Sequence, residues 1–509
     1  DVLGEPDGLQ RDLARYLEAS VEGVNEAAQR HLAPENRLLL TVRPKRPALA
    51  RPVDRETRPP IAGPRVVIPS QPERRRLASG HELVHFPRPG APLSQVLVCA
   101  NHGASSDPEG QEGRAWLLAG MLDEGTKDLG ASAFTEALER LGARAHCSAN
   151  HHQIQVGLAA LPHRLHDALE LVLEAAFRPP FNPAEWDRVK RIHLESLESE
   201  SDDPARVAGR AGARAFFGPK HPYGRSILGD IGAIRSMSRD DVAAIHAAVM
   251  VSPGLRFYVA SEHGTDALAR QLDELLAGRL PPAASGLDEA EAWALDDAER
   301  KLCIVHRPDA VQTLIRHYMP SVPDGSKDRV PLLLLDTIFG GSFTSRLNQN
   351  LREEHGYTYG VRTGFQMQKT CGWHITSTSV QTEVTGDALR ETFTEFKKLR
   401  LEGVTEHEVE KARQQRRTEL VESLETSGAL LSTVCSLDRL GHDFAELERE
   451  MREVAACTKD RLDALAETAY PTERGTLLLV GDREKILPQL EGLSLPAPEE
   501  LDPQGRPII

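Results

Sequence analysis

Gly340-Gly-Ser-Phe-Thr-Ser-Arg-Leu-Asn-Gln-Asn-Leu-Arg-Glu-Glu-His-Gly-Tyr-Thr-Tyr-Gly360 changes its periodicity once, at Gly356. Before it, Phe343, Leu347 and Leu351 recur at helical spacing behind a small polar start at Ser342 or Thr344. Gly356 stands where a helix needs a left-handed C-terminal residue. After it, Tyr357, Tyr359, Val361 and Thr363 alternate as a strand does. Arg352 is therefore expected on the last helical turn and Tyr359 just inside the strand. Such a corner directs both at one spot, and a guanidinium fork with a phenol suits a carbonyl or a developing oxyanion. The plainer reading of the same residues is that Arg352 pairs with a nearby Glu while Tyr359 packs.

At these residues the chain resembles the pitrilysin/insulinase zinc metallopeptidases, the inverzincins. Their C-terminal domains carry a pattern similar to Ser-Arg-Leu-x(4)-Arg-Glu-x-x-Gly-x-x-Tyr, matched here from Ser345 to Tyr359. The resemblance implies that Arg352 and Tyr359 reach across to a zinc site in another domain.

In active members an N-terminal helix reads Gly-x-Ala-His-Phe-Leu-Glu-His-Met-x-x-x-Gly-Thr. Two His one turn apart ligate zinc, and the Glu between them is the general base on bound water. This chain has Gly113-Arg-Ala-Trp-Leu-Leu-Ala-Gly-Met-Leu-Asp-Glu-Gly-Thr126. The frame matches at Gly113, Ala115, Leu118, Met121, Gly125 and Thr126, but Trp116, Ala119 and Gly120 replace His, Glu and His. The third ligand of the family, a Glu about 76 residues after the second His, leads to Ser196. No metal is therefore expected in this chain, and zinc is expected in a partner half. His146, His151, His152, His163 and His166 cluster in the sequence. Strand alternation separates His151 from His152, so the cluster reads as solvated or satisfied histidines.

Internal repeats set the domain organisation. Val84 to Val96 resembles Ile304 to Leu314, each a strand, a Pro turn and a strand, followed by an Asp-rich loop and an apolar helix. A closing pattern occurs three times: a helix capped by Ser20, Ser238 or Thr458, then Pro34, Pro253 or Pro471, then an apolar strand. The expected organisation is α+β, with two homologous domains, each a mainly antiparallel sheet with helices packed on it. They span 75–280 (zinc-less) and 301–495 (with the Arg/Tyr motif), joined by an acidic linker, 281–300. Residues 1–43, with a strand at Leu38–Val42, are expected to be the C-terminal tail of a third such domain. A Pro/Arg-rich linker, 44–74, follows it, and 496–509 is expected to be a tail. The chain thus reads as part of a longer or processed protein.

The 509 residues carry a net charge of −15, which argues against nucleic acid or an anionic membrane as partner. No apolar run reaches transmembrane length. Cys99, Cys147, Cys303, Cys371, Cys435 and Cys457 are scattered, with no Cys-x-x-Cys, and read as free, mostly buried thiols; the compartment stays open. The resemblance implies the non-catalytic half of a zinc peptidase, pairing with a zinc-bearing half to enclose and hydrolyse peptides. The alternatives are an inert scaffold or assembly subunit of the same fold, and a module that captures peptides without cutting them.

Overall fold

The computed structural model describes residues 8–32, 37–41, 70–250, 254–281, 293, 295 and 300–508. Residues up to 63 form one unit and those from 64 another. The second unit holds two six-stranded sheets. The first contains β1 (Glu73–Arg76), β2 (Glu82–Pro87), β3 (Ser94–Ala100), β4 (Arg144–Ala149), β5 (Ile154–Ala160) and β6 (Arg256–Ser261), in the order β1-β2-β6-β3-β5-β4. The second contains β7 (Lys301–His306), β8 (Gln312–Ser321), β9 (Thr358–Met367), β10 (Gly372–Gln381), β11 (Thr476–Gly481) and β12 (Pro498–Leu501), in the order β12-β7-β11-β8-β10-β9. Five strands correspond in order, β2-β6-β3-β5-β4 with β7-β11-β8-β10-β9; the edge strands differ, since β1 precedes β2 and pairs antiparallel with it, whereas β12 follows β11 and pairs parallel with β7. In both shared sets, the central strand pairs parallel with the first strand and antiparallel with the second, as β6 does with β2 and β3 and β11 with β7 and β8.

The closing helices that deliver β6 and β11 start alike. Asp241 N–H donates to Ser238 Oγ at 3.2 Å, and Arg461 N–H donates to Thr458 Oγ at 3.3 Å. These bonds satisfy orphan donors of the first turn. The delivered strands are apolar on both faces because each sheet is covered twice. One face packs on its own domain's helices. The other packs on a helix lent by the neighbouring domain: Val207, Ala208 and Ala211 of the helix Pro204–Phe217 lie against Cys303, Val305, Leu478 and Val480. In return, Leu430, Leu431, Val434 and Cys435 of the helix Ser427–Leu440 lie against Val84, Phe86, Leu97 and Tyr258. Phe216 stacks on Tyr318 at 5.5 Å and Phe217 meets Trp373 edge-on at 4.9 Å, so aromatic contacts extend this seam.

Three expectations change. Residues 496–509 are not merely a tail: β12 adds an edge strand parallel to β7, and its Leu501 is buried in the seam. In the first unit, helices Leu9–Leu17 and Val21–His31 form, and Gly23 N–H donates to Ser20 Oγ at 3.1 Å. The expected strand does not form over the described part of Leu38–Val42, namely 38–41. A strand needs a ladder partner for its backbone groups, and Leu38, Leu39 and Leu40 are instead exposed, Leu38 at 95%. Third, His151 and His152 lie in the turn between β4 and β5, not on opposite faces of a strand. The linkers expected at 44–74 and 281–300 fall largely outside the described residues.

Candidate functional site

The helix-to-strand corner exists, with two differences from its sequence reading. The helix begins later than Ser342 or Thr344: Ser345 precedes Arg346–Asn348, and wide turns carry the chain through Gln349–Glu354. His355 N–H reaches back to Asn350 O at 3.1 Å and Tyr357 N–H to Leu351 O at 2.8 Å. Such widened helical turns recur at functional sites. Gly356 takes a φ of 65°, as its position requires. Gly340 allows the segment to approach β9, since a Cβ there would meet Thr363 Cγ2 at 2.3 Å.

The second difference concerns Tyr359. Strand alternation would put it on the face of Val361 and Phe365, both buried. A bulge intervenes: Val361 pairs with Thr378 and Thr358 with Val380, so Tyr359 and Gly360 together oppose Ser379. Bulges re-aim side chains, and Tyr359 stands 94% exposed. Asn348 locks this geometry. Its Nδ2 lies 3.0 Å from both Val361 O and Ser342 O, and its Oδ1 accepts from Val361 N–H at 2.9 Å. Thr358 and Thr378 close the other side, Thr378 Oγ1 donating to Gly360 O at 3.1 Å. The sequence reading passed over Asn348; its buried amide, one turn ahead of Arg352, is a polar group that must be satisfied.

Arg352 lies with its guanidinium carbon 4.0 Å over the ring of Phe343, which is itself largely exposed. Its NH1 is 3.3 Å from Glu353. The plainer sequence reading is thus half met: Arg352 does pair with a Glu, but Tyr359 does not pack. The stacked plane fixes the guanidinium on the side of the corner where Phe343 projects.

The zinc-motif frame is equally well formed and chemically empty. The helix Arg114–Met121 buries Ala115, Leu117, Leu118, Ala119 and Met121. Asp107 caps its start, accepting from Gly113 N–H at 3.0 Å and Ala115 N–H at 3.1 Å. Burial pushes this carboxyl up to about 7 despite both bonds. The helix Pro183–Ser199 packs alongside, so the two elements to which the resemblance assigns the zinc positions lie together: Trp116 lies 6.2 Å from the His193 ring, and a Cβ on Gly120 would meet Val189 at 3.4 Å. Ser196 is on the same helix, half-buried. Trp116, Ala119, Gly120 and Ser196 offer neither imidazole nor carboxylate, so the residues do not fit zinc. His193 does not substitute, because its Nε2 is engaged with Leu228 O at 2.7 Å. Among the described residues no group of three or more His, Cys, Asp or Glu is placed to hold a metal. His151 and His152 flank the Tyr223 ring, and burial lowers them to about 4 and about 3.

The family described as "Insulinase (Peptidase family M16)" matches residues 85–230, and "Peptidase M16 inactive domain" matches 236–416. The boundary between the matches falls inside the first domain, whose β6 lies beyond it. An uncharacterized zinc protease of Mycobacterium tuberculosis is 22% identical over 424 residues, covering 83% of this chain and 96% of the relative. A Helicobacter pylori protein named as a non-peptidase homolog is 24% identical over 294 residues, 58% of this chain and 66% of its own. The crystal structure of a peptidase M16 inactive domain from Pseudomonas fluorescens superposes with a TM-score of 0.73 at 19% identity, over 81% of this chain and 98% of that one. With both family matches in chain order over the two domains, and the same fold in that structure, the chain belongs to the M16 (insulinase) peptidase family.

Proposed function

We propose that this chain is the non-catalytic half of an M16 peptidase, which closes on a zinc-bearing half and presents Arg352 and Tyr359 to a peptide held between them. The observation that carries this reading is the bulge at Tyr359–Gly360. It spends a ladder pairing and the Asn348 clamp on turning a phenol out of the core and into solvent. A side chain kept for stability has no use for that arrangement. In this reading the Tyr359 hydroxyl donates to the oxyanion of the tetrahedral intermediate, and Arg352, stacked on Phe343, holds a substrate carbonyl. The zinc-bearing half supplies the metal and the attacking water.

Pairing with a further domain has its own support in the first unit. β6 begins 18 residues after its cap (256 − 238), and β11 begins 18 after its cap (476 − 458). Eighteen residues after Ser20 lies Leu38, the start of the exposed Leu-Leu-Leu. In both described sheets this central position is already filled, by β6 and β11. The helix Val21–His31 is therefore read as the closing helix of a third domain of this fold, with Leu38–Thr41 as the segment that would pair in its sheet.

The scaffold reading draws on the emptied zinc frame and on the non-peptidase name of the Helicobacter relative. Pairing is tested by hydrogen exchange of the chain alone and mixed with an M16 polypeptide that carries His-x-x-Glu-His, and the scaffold reading is separated by whether that mixture cleaves peptide. The proposal expects exchange at Leu38–Thr41 to slow on the order of 100-fold in the mixture. Unchanged exchange there, or no complex, would contradict it.

A further inference from the structure

We infer that Cys99 and Cys435 are a disulfide-forming pair, a covalent modification site that joins the two domains across their seam. The two thiols are 336 positions apart in the chain and belong to different domains, yet their sulfurs lie 3.0 Å apart. Cys99 is on β3, where alternation sends Val96, Val98 and Ala100 into the first domain's own core and Leu97 and Cys99 onto the lent helix. Cys435 is on that helix, one turn from Leu431 and next to Val434. The pair therefore sits where the second domain's helix covers the first domain's sheet. A disulfide requires the sulfurs to close to about 2.05 Å, a movement of about 1 Å from their present contact.

The surroundings divide the roles. Cys435 Sγ has Gln153 Nε2 at 3.4 Å besides the Cys99 thiol, so a thiolate at Cys435 meets two donors. These bonds hold Cys435 below the usual thiol range, whereas burial raises Cys99 well above it. Elsewhere burial pushes Cys303 up to about 12 and Cys371 to about 11. Cys435, which accepts from Gln153 Nε2 at 3.4 Å, is therefore assigned as the attacking sulfur and Cys99 as the resolving one.

The oxidant is hydrogen peroxide. The Cys435 thiolate attacks one peroxide oxygen, the O–O bond breaks, and hydroxide leaves and takes a proton to become water. Cys435 is then a sulfenic acid. The Cys99 sulfur attacks the Cys435 sulfur, the S–O bond breaks, and a second water leaves with the Cys99 proton. Two thiols lose two electrons in total, and one hydrogen peroxide becomes two waters.

Both sulfurs are almost fully buried, so the reaction proceeds through opening of the seam and is expected to be slow. The product keeps the lent helix on the sheet and resists reopening. The test is peptide mapping without reductant on the full chain, reduced and then treated with hydrogen peroxide. A Cys99–Cys435 peptide is expected at least tenfold above any other linkage, with a raised melting temperature that dithiothreitol reverses. Cys435→Ser removes the linked peptide, and Cys147→Ser leaves it. Sulfinic acid at Cys435 without linkage, a different dominant linkage, or no oxidation of either thiol in the folded protein would overturn the inference. Mapping the unsubstituted chain decides the matter even where Cys435→Ser folds poorly.

Discussion

Tyr359→Phe in the assembled peptidase is expected to lower kcat on the order of 10²–10³-fold, with KM and melting temperature nearly unchanged. The side chain is 94% exposed, so removing its hydroxyl takes little from folding. An oxyanion donor acts only once charge develops, which is why the loss falls on kcat. Single-turnover rates at equal occupancy of the zinc-bearing half measure it. Arg352→Lys is expected to be poorly tolerated in the same assay, because an ammonium reproduces neither the planar fork nor the stack on Phe343. Wild-type rates for Tyr359→Phe would remove the corner from catalysis and leave the assembly-subunit reading.

The second large effect is on stability below neutral pH. His85, bonded to Thr265 Oγ1 at 2.7 Å and Ser261 Oγ at 3.0 Å, is lowered by burial to about 4, as is His151; His152 and His317 are lowered to about 3. As pH falls through 6.5 the unfolded chain takes up these protons and the folded chain does not, so stability falls with pH. Two carboxyls oppose this. Burial raises Asp107 to about 7 and Asp123 to about 6, so the folded chain holds their protons where the unfolded chain has released them. Near pH 5.5 the balance is about two more protons on the unfolded chain, or roughly 2–3 kcal/mol lost per pH unit. Urea melts between pH 6.5 and 4.5 check this. Stability that is flat or rising as pH falls would contradict it.

How much the sequence could show depended on whether an element is specified locally. The corner was legible because Gly356 and the change in period are local signals, and the closing helices were legible because Ser20, Ser238 and Thr458 are caps. The phase of Tyr359 was not. A bulge adds one residue, which inverts the face of everything on one side of it, and it depends on Asn348 arriving from the preceding helix. Nor did periodicity reveal that the helices Pro204–Phe217 and Ser427–Leu440 each cover the neighbouring domain's sheet, since an apolar stripe does not name the surface it buries against. The contact of Cys99 with Cys435 follows from that exchange. β12 was missed because Pro498-Glu-Glu-Leu501 has the composition of a tail, and an edge strand needs only one apolar anchor, here Leu501. The reading of Trp116, Ala119, Gly120 and Ser196 as zinc positions rests on residue type and on the matching frame residues; the structure adds that the helices Arg114–Met121 and Pro183–Ser199 that carry them pack together.

The most direct test of the central claim is zinc content and chelator-sensitive peptide cleavage, measured on this chain alone, on a zinc-bearing M16 half alone, and on their mixture. With Trp116, Ala119, Gly120 and Ser196 in the positions that the family resemblance gives to the ligands and the base, the chain alone is expected to retain no stoichiometric zinc after chelation and reconstitution, and to cleave nothing. The mixture is expected to cleave, and its rate to depend on Tyr359. Stoichiometric zinc or chelator-sensitive cleavage by the chain alone would contradict the account.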